Sequence, residues 1–173
     1  MDPDGLFQKH KRKIYVGYDL FVDGPYYEAF KRMSSSLYDI VRDTSMEREL
    51  DGEDAEGFIR HVRDETMEDC ACAVILCGAR THLDKFVDWE IKAALDRKLS
   101  LVGLVLPANP SDSAGQPLLP DRMQANFDGG FAVVCRWEEL SSAKVDLSAR
   151  IRFAMERPAS LIENSLPLRL RNG

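Results

Sequence analysis

The chain has 173 residues, which is enough for one domain with a full hydrophobic core. With 45% hydrophobic and 30% charged residues, its composition is that of a soluble globular protein and excludes wholesale disorder. The net charge of −6 disfavours a nucleic-acid partner, because a protein that binds a duplex needs a basic face. No run approaches the ~18 apolar residues of a membrane span, and the acidic N-terminus is unlike a signal peptide. We therefore expect a cytoplasmic protein with no membrane partner.

Strands and helices are predicted to alternate along the chain. Residues 1–12 form a lead-in, and a charged loop at 42–53 separates the second strand from the next helix. The predicted strands are residues 14–18, 37–41, 71–76, 99–106 and 131–134, and the predicted helices begin near Pro25, before Phe58, at Thr81 and near Ala143. Residues 107–130 contain four of the eight prolines and are predicted to form a long loop.

This alternation predicts an α/β fold, with a parallel sheet covered by helices on both faces. The third strand is an unbroken apolar run, as expected of a central parallel strand. Five strands suit the flavodoxin-like three-layer sandwich with strand order 2-1-3-4-5. The domain is predicted to span residues 13–156. Residues 157–173 form a C-terminal tail, whose leucines we expect to pack against the domain or a second subunit.

Glu90 occupies an unusual position in the helix predicted from Thr81, which we interpret as the N-cap. At about 100° per residue, Glu90 falls within an apolar stripe that includes Val87 and Ala94. A buried carboxylate costs several kcal/mol unless it is paired or hydrogen-bonded. The pattern indicates a pocket, a salt bridge to a neighbouring helix, or a carboxylate that is simply exposed in the first turns of the helix. Trp89 lies on the polar side, where it marks a subunit contact or stacking surface, or caps a neighbouring loop.

Ligands of such sheets bind outside the carboxyl ends of the strands. Side chains predicted to meet Glu90 there are Tyr18, Asp19 and Asp43 on the walls of a cleft, with Cys77 and Gly78 at its floor. Two of these residues also suit a structural role. Asp19 fits a helix or loop cap equally well, and Asp43 lies in the charged loop that begins at Arg42, where side chains are usually solvated.

Several chemistries are unsupported by the sequence. The first strand is followed by neither Gly-x-Gly-x-x-Gly nor a Walker-type loop. No histidine lies in a recognisable catalytic motif, and the third strand ends without the aspartate of a phosphoacceptor domain. The four cysteines lack metal-binding spacing, and we interpret them as reduced, small hydrophobic residues with no metal site.

At Glu90 the chain resembles a known family. The segments 77–81 (CGART) and 86–91 (FVDWEI) are similar to the "I-G-x-x-T … W-V-x-W/Y-E-I" signature of TIR-like domains, in particular the ThsB-type proteins of the Thoeris anti-phage system. Residues 16–19 with Tyr26 and Tyr27, and residues 119–132, agree as well. The resemblance covers residues 13–156. Phe86 stands where the family often has Trp, which preserves an aromatic wall.

The resemblance implies an enzyme that cleaves the nicotinamide–ribose bond of NAD, with Glu90 as the catalytic residue. NAD is then the substrate, no other cofactor is needed, and a cyclic or conjugated ADP-ribose product activates a partner effector. The NAD-binding residues implied are Tyr18, Asp19, Asp43, Cys77, Gly78, Thr81 and Phe86. Homo-oligomers are among the implied assemblies. The alternative is a non-catalytic TIR-like interaction module, since fold alone does not establish activity.

Overall fold

The computed structural model describes residues 10–43 and 54–173. Five parallel strands form one sheet in the order β2-β1-β3-β4-β5. They are β1 (Arg12–Gly17), β2 (Tyr38–Val41), β3 (Cys70–Cys77), β4 (Ser100–Val105) and β5 (Val133–Arg136). β3 lies in the middle with all its residues buried except the half-buried Ala71, so the predicted α/β fold, strand order and central strand are confirmed.

Helices cover both faces of the sheet. They are α1 (Gly24–Ser34), α2 (Ala55–His61), α3 (Lys85–Asp96), α4 (Asp121–Asp128), α5 (Trp137–Ser141) and α6 (Leu147–Met155). One core contains buried residues of α3 and α4 together with Tyr15, whereas the other contains residues of α1 and α6 together with Ile14 and Val16. Because neighbouring strand residues point to opposite faces, β1 contributes Tyr15 to one core and Val16 to the other.

Two of the predicted helix starts are wrong. Thr81 does not cap α3, because residues 81–83 form a short 3-10 turn and Asp84 is the N-cap, accepting a hydrogen bond from the Phe86 amide at 2.8 Å. The last helix begins at Leu147 rather than near Ala143, whose φ of 58° is left-handed and incompatible with a helix interior. β5 begins two residues later than predicted, at Val133.

The segment 107–130 is not a continuous loop, because it contains α4, and α5 was also not predicted. The buried side chains of α4 are Arg122, Met123 and Asn126. Two of these three are polar, so the helix lacks the apolar stripe from which amphipathic helices are recognised. The predicted charged loop at 42–53 lies largely outside the described residues, as does most of the lead-in.

The C-terminal tail packs against the domain. Leu161, Ile162 and Leu168 are partly buried against the core that contains α3, as predicted for the tail leucines, whereas Leu170 is 72% exposed. Among the described residues, no helix has both the length and the apolar character needed to cross a membrane.

Candidate functional site

Glu90 lies on the face of α3 that packs against the sheet. Its residue is 8% exposed, and its Oε1 accepts a hydrogen bond of 2.8 Å from the hydroxyl of Tyr15 on β1. Tyr15 itself is completely buried. No ion pair to Glu90 is formed by the described residues, so the salt-bridge alternative is not what the structure shows. Instead, a neutral hydroxyl group holds a buried carboxyl group.

The second carboxyl oxygen of Glu90 faces Gly17. A Cβ atom placed on Gly17 would lie 2.5 Å from Oε2, well inside van der Waals contact, so only glycine leaves room for the carboxyl group in this position. Oε2 is buried and has no hydrogen-bond partner among the described residues. Unpartnered buried oxygens are rare in folded proteins because each costs free energy of folding. The described residues therefore leave one acceptor of this carboxyl group unsatisfied.

Burial raises the pKa of Glu90 well above its usual range. The hydrogen bond from Tyr15 opposes this increase, whereas the negative charges of Asp84 and Asp43 add to it and the positive charge of Arg42 opposes it. Burial likewise raises the pKa of Tyr15, with the charge of Glu90 as the next cause. A proton is therefore held more tightly by Glu90 than by an ordinary glutamate, and a cation close to it would reverse that preference.

A second buried carboxyl group belongs to Asp23, the residue before α1, which is 1% exposed. Burial raises the pKa of Asp23 to about 6, and the charge of Asp19 adds to the effect. The Thr81 hydroxyl lies 3.3 Å from Oδ2 of Asp23 and accepts a hydrogen bond from the Gly78 amide at 2.8 Å. A Cβ atom on Gly78 would lie 2.3 Å from either carboxyl oxygen. The space beside Gly78, which the sequence analysis placed at the floor of the cleft, is thus occupied by Asp23, a residue that it did not single out.

The structure places Tyr18 and Asp19 in the loop between β1 and α1. Asp19 accepts a hydrogen bond from the Phe21 amide at 2.9 Å through Oδ1, so it acts as the loop cap that the sequence left open. The ring of Tyr18 stacks on that of Tyr27, with centroids 4.7 Å apart, and belongs to the core opposite Tyr15. The hydrogen bond to Glu90 comes from Tyr15, and a role for Tyr18 and Asp19 in binding substrate stays a prediction.

Asp43, Cys77 and Phe86 have different surroundings. Asp43 is 5% exposed, lies 3.5 Å from Nε2 of His61 and is near enough to Glu90 to raise its pKa. Cys77 ends β3 as a buried thiol, and burial raises its pKa to about 12. Phe86 packs against Phe58 and Trp89, with ring centroids 5.7 and 5.1 Å away. The structure thus associates Asp43 electrostatically with Glu90 and places Phe86 in an aromatic cluster.

The opposite side of α3 binds the tail. Trp89 is 1% exposed and its Nε1 donates a hydrogen bond of 2.9 Å to the carbonyl of Arg169. Of the alternatives left open for Trp89, the structure shows contact with a neighbouring segment, because the tail covers that face of the helix. Asp88, beside it, forms an ion pair with the fully buried Arg122 of α4 at 2.9 Å. Trp89 and Asp88 are thus part of a structural contact.

Tyr15 and Asp23 were missed for different reasons. A tyrosine in an apolar strand is ordinarily a core residue, and its contact with Glu90 joins positions 75 residues apart. The one local signal for this contact is that Tyr15 and Gly17 lie on the same face of β1. Asp23 stands before a proline-containing helix start, where an aspartate is usually an N-cap, but its side chain makes no capping hydrogen bond.

Within the described ranges, no group of three or more potential ligands is arranged to hold a metal ion.

The fold and the site define an α/β domain in which a buried glutamate on the third helix faces the first strand. Residues 15–111 match the family described as Thoeris protein ThsB, TIR-like domain. The chain belongs to this family of TIR-like domains, as the resemblance around Glu90 predicted. The match includes Tyr15, Gly17 and Glu90, whereas the stretch 119–132 lies beyond it. Comparison with curated proteins gave no match.

Proposed function

We propose that the chain cleaves the nicotinamide–ribose bond of NAD, with Glu90 as the catalytic carboxylate. The observation that carries the proposal is the state of Glu90: buried, hydrogen-bonded through one oxygen only, and without an ion-pair partner among the described residues. Perturbed carboxyl groups of this kind concentrate at functional sites. Glu90 also lies within the residues that match the ThsB TIR-like family.

The chemistry needs a carboxylate in a water-poor environment. When the bond between nicotinamide and ribose breaks, its electron pair leaves with the nicotinamide nitrogen and positive charge develops on the ribose carbon. Transition states of this type resemble the oxocarbenium ions of glycoside hydrolysis. An ionised Glu90 close to that carbon stabilises the charge, and a pre-positioned carboxylate does so more strongly in a site of low dielectric. Water or a hydroxyl group of ADP-ribose then captures the carbon.

The charges around Glu90 suit a cationic group. Asp43 and Asp84 act on Glu90 as negative charges, and Asp84 also acts on Asp23. The nicotinamide ring of NAD carries a positive charge that these carboxyl groups attract. Because a nearby cation favours the ionised form of a carboxyl group, NAD binding lowers the pKa of Glu90 when a carboxylate is required.

The remaining parts of the proposal extend from this reaction. Tyr18, Asp19, Asp43, Cys77, Gly78, Thr81 and Phe86 are proposed to bind NAD around Glu90. We further propose that the product, a cyclic or conjugated ADP-ribose, activates an effector in anti-phage defence. Homo-oligomers and a cytoplasmic location are part of the same proposal, and NAD is its only small-molecule requirement.

The test is release of nicotinamide from NAD by the purified chain, followed by chromatography. We expect Glu90→Gln to remove the activity by orders of magnitude. Glu28→Gln is the matched control, because Glu28 is exposed on α1 and the chemical change is the same. It should retain wild-type turnover.

A second experiment tests whether phage infection activates NAD cleavage. NAD is quantified in cells expressing wild type, Glu90→Gln or Glu28→Gln, before and after phage challenge. Loss of NAD in wild type and Glu28→Gln cells, but not in Glu90→Gln cells, supports the proposal. Equal NAD in all three, together with no nicotinamide release by the pure protein, would favour the non-catalytic interaction module.

A further inference from the structure

Tyr15 and Gly17 act on the two oxygens of the same carboxyl group. They lie two residues apart on β1, and side chains at this spacing point to the same face of the sheet. The Tyr15 hydroxyl contacts Oε1 of Glu90 at 2.8 Å, and Gly17 leaves the space that Oε2 occupies. β1 therefore acts on both oxygens of the carboxyl group, since Tyr15 holds Oε1 by a hydrogen bond and Gly17 leaves the room that Oε2 needs.

We propose that Tyr15 is a positioning residue for Glu90, an inference that rests on the proposed function. Its hydroxyl group holds Oε1 and Gly17 provides the space for Oε2, so the carboxyl group is kept in one orientation. The substrate class is a cationic N-glycoside. A carboxylate held in one orientation gains rate because the reacting atoms are already placed when the substrate binds.

A purely structural role does not account for this arrangement. A phenylalanine at position 15 would fill the same buried volume, and the tyrosine hydroxyl brings a polar group that needs a partner. Its partner, Glu90, retains a second buried oxygen without a hydrogen bond from any described residue. Replacing both partners by apolar groups of similar shape is often neutral or stabilising. The pair is therefore better explained by the chemistry of Glu90 than by the stability of the fold.

The hydrogen bond also affects when Glu90 ionises. The titratable and charged groups that act on Glu90 are Tyr15 from β1, Arg42 and Asp43 from the segment after β2, and Asp84 from the residue before α3. Of these, the Tyr15 hydroxyl is the group that stabilises the carboxylate by direct hydrogen bonding. Its removal raises the pKa of Glu90 further, whereas removal of a distant core hydroxyl does not.

The experiment compares Tyr15→Phe with Tyr38→Phe, a control on β2 whose tyrosine is 8% exposed in the opposite core. In Tyr15→Phe we expect kcat for NAD cleavage to fall by about 10- to 100-fold with KM nearly unchanged. The acidic limb of the kcat–pH profile should move to higher pH. Tyr38→Phe should leave both unchanged. A well-folded Tyr15→Phe protein with wild-type kcat and pH profile would overturn the inference.

A second variant and a direct titration keep the inference testable in every case. Gly17→Ala displaces Oε2 while the Tyr15 hydroxyl remains, so it should lower kcat in the same way even if Tyr15→Phe does not fold. Titration of carbon-13-labelled glutamate carboxyl groups, with Glu90 assigned by its absence in Glu90→Gln, needs no activity. A higher Glu90 pKa in Tyr15→Phe shows that the hydroxyl group acts on the carboxyl group even if the chain does not cleave NAD, in which case the proposed function fails and not the contact; an unchanged pKa contradicts the inference. If neither β1 variant folds, the positioning role is rejected in favour of a structural one.

Discussion

Asp88 and Glu90 lie two residues apart on α3, and their carboxyl groups point to opposite sides of the helix. Two residues correspond to a rotation of about 200°, so one side chain faces the sheet and the other faces away from it. Asp88 is paired with Arg122 at 2.9 Å and accepts a hydrogen bond from the Arg169 amide. Glu90 has only the Tyr15 hydroxyl among the described residues. The same short helix thus carries one satisfied and one unsatisfied buried carboxyl group, and their substitutions should have opposite effects.

Glu90→Gln should fold and be at least as stable as wild type at neutral pH. Burial raises the pKa of Glu90, and a group with a raised folded-state pKa gives its full contribution to stability below its unfolded-state pKa of about 4.5. This contribution is lost as the pH rises through the folded-state pKa, because a buried carboxylate must then form. The glutamine side chain of the variant does not ionise, so the variant does not lose stability in this way as the pH rises.

Denaturant unfolding at a series of pH values measures the effect. The free energy of unfolding of Glu90→Gln minus that of wild type should increase as the pH rises from about 4.5. Glu28→Gln serves as the control and should show no such trend. A difference that decreases with pH would mean that the ionised Glu90 stabilises the fold, as a hidden ion pair would.

Asp23→Asn should reduce the pH dependence of stability over a defined window. Burial raises the pKa of Asp23 from 3.8 to about 6, so its contribution to stability is complete below the lower value and disappears as the pH rises through the higher one. The asparagine variant should lose less stability than wild type over this range. Unfolding at pH values on both sides of the window tests this, with the exposed Asp39→Asn as control. Parallel wild-type and variant curves would contradict the prediction.

Much of the fold follows from patterns that are local in sequence. The apolar run of β3 places that strand at the centre, and the helical spacing around Glu90 correctly puts its carboxyl group on the buried face of α3. Both patterns arise because apolar residues are buried, and these residues recur at regular positions in the sequence. α4 shows no such pattern. Its buried face carries the polar residues Arg122 and Asn126, whose hydrogen-bond partners are distant in the sequence.

The candidate site was only partly predictable for the same reason. Glu90 was recognisable because a charged residue interrupts an apolar stripe. Tyr15 was not, since its hydroxyl is used in a tertiary contact that no local pattern records. Asp84 was placed inside the helix although it caps the helix, because a 3-10 turn before α3 shifts the true start by several residues. Local propensity therefore located the helix but not the groups that act on Glu90.

Asp88→Ala should destabilise the domain strongly. Its carboxylate is the ion-pair partner of Arg122, which is 0% exposed, so the substitution leaves an uncompensated charge in the core. Breaking a buried pair in this way typically costs about 3–5 kcal/mol in the free energy of unfolding. Denaturant unfolding measures the change, with Asp128→Ala on the exposed part of α4 as control. A loss below about 1 kcal/mol would show that water compensates Arg122.

Removal of residues 163–173 should loosen the outer side of α3. This segment supplies the Asn164 and Pro167 oxygens that accept hydrogen bonds from Arg122, at 3.1 and 3.2 Å, and the Arg169 carbonyl that accepts from Trp89. Each buried donor left without a partner costs about 1–3 kcal/mol, so the free energy of unfolding should fall by at least about 3 kcal/mol. Trp89 should also become accessible to water, which shifts its fluorescence to longer wavelength. The control is Leu170→Ala, since Leu170 is 72% exposed and its truncation should change neither measurement. A shortened chain with wild-type stability and emission would show that the tail does not hold α3.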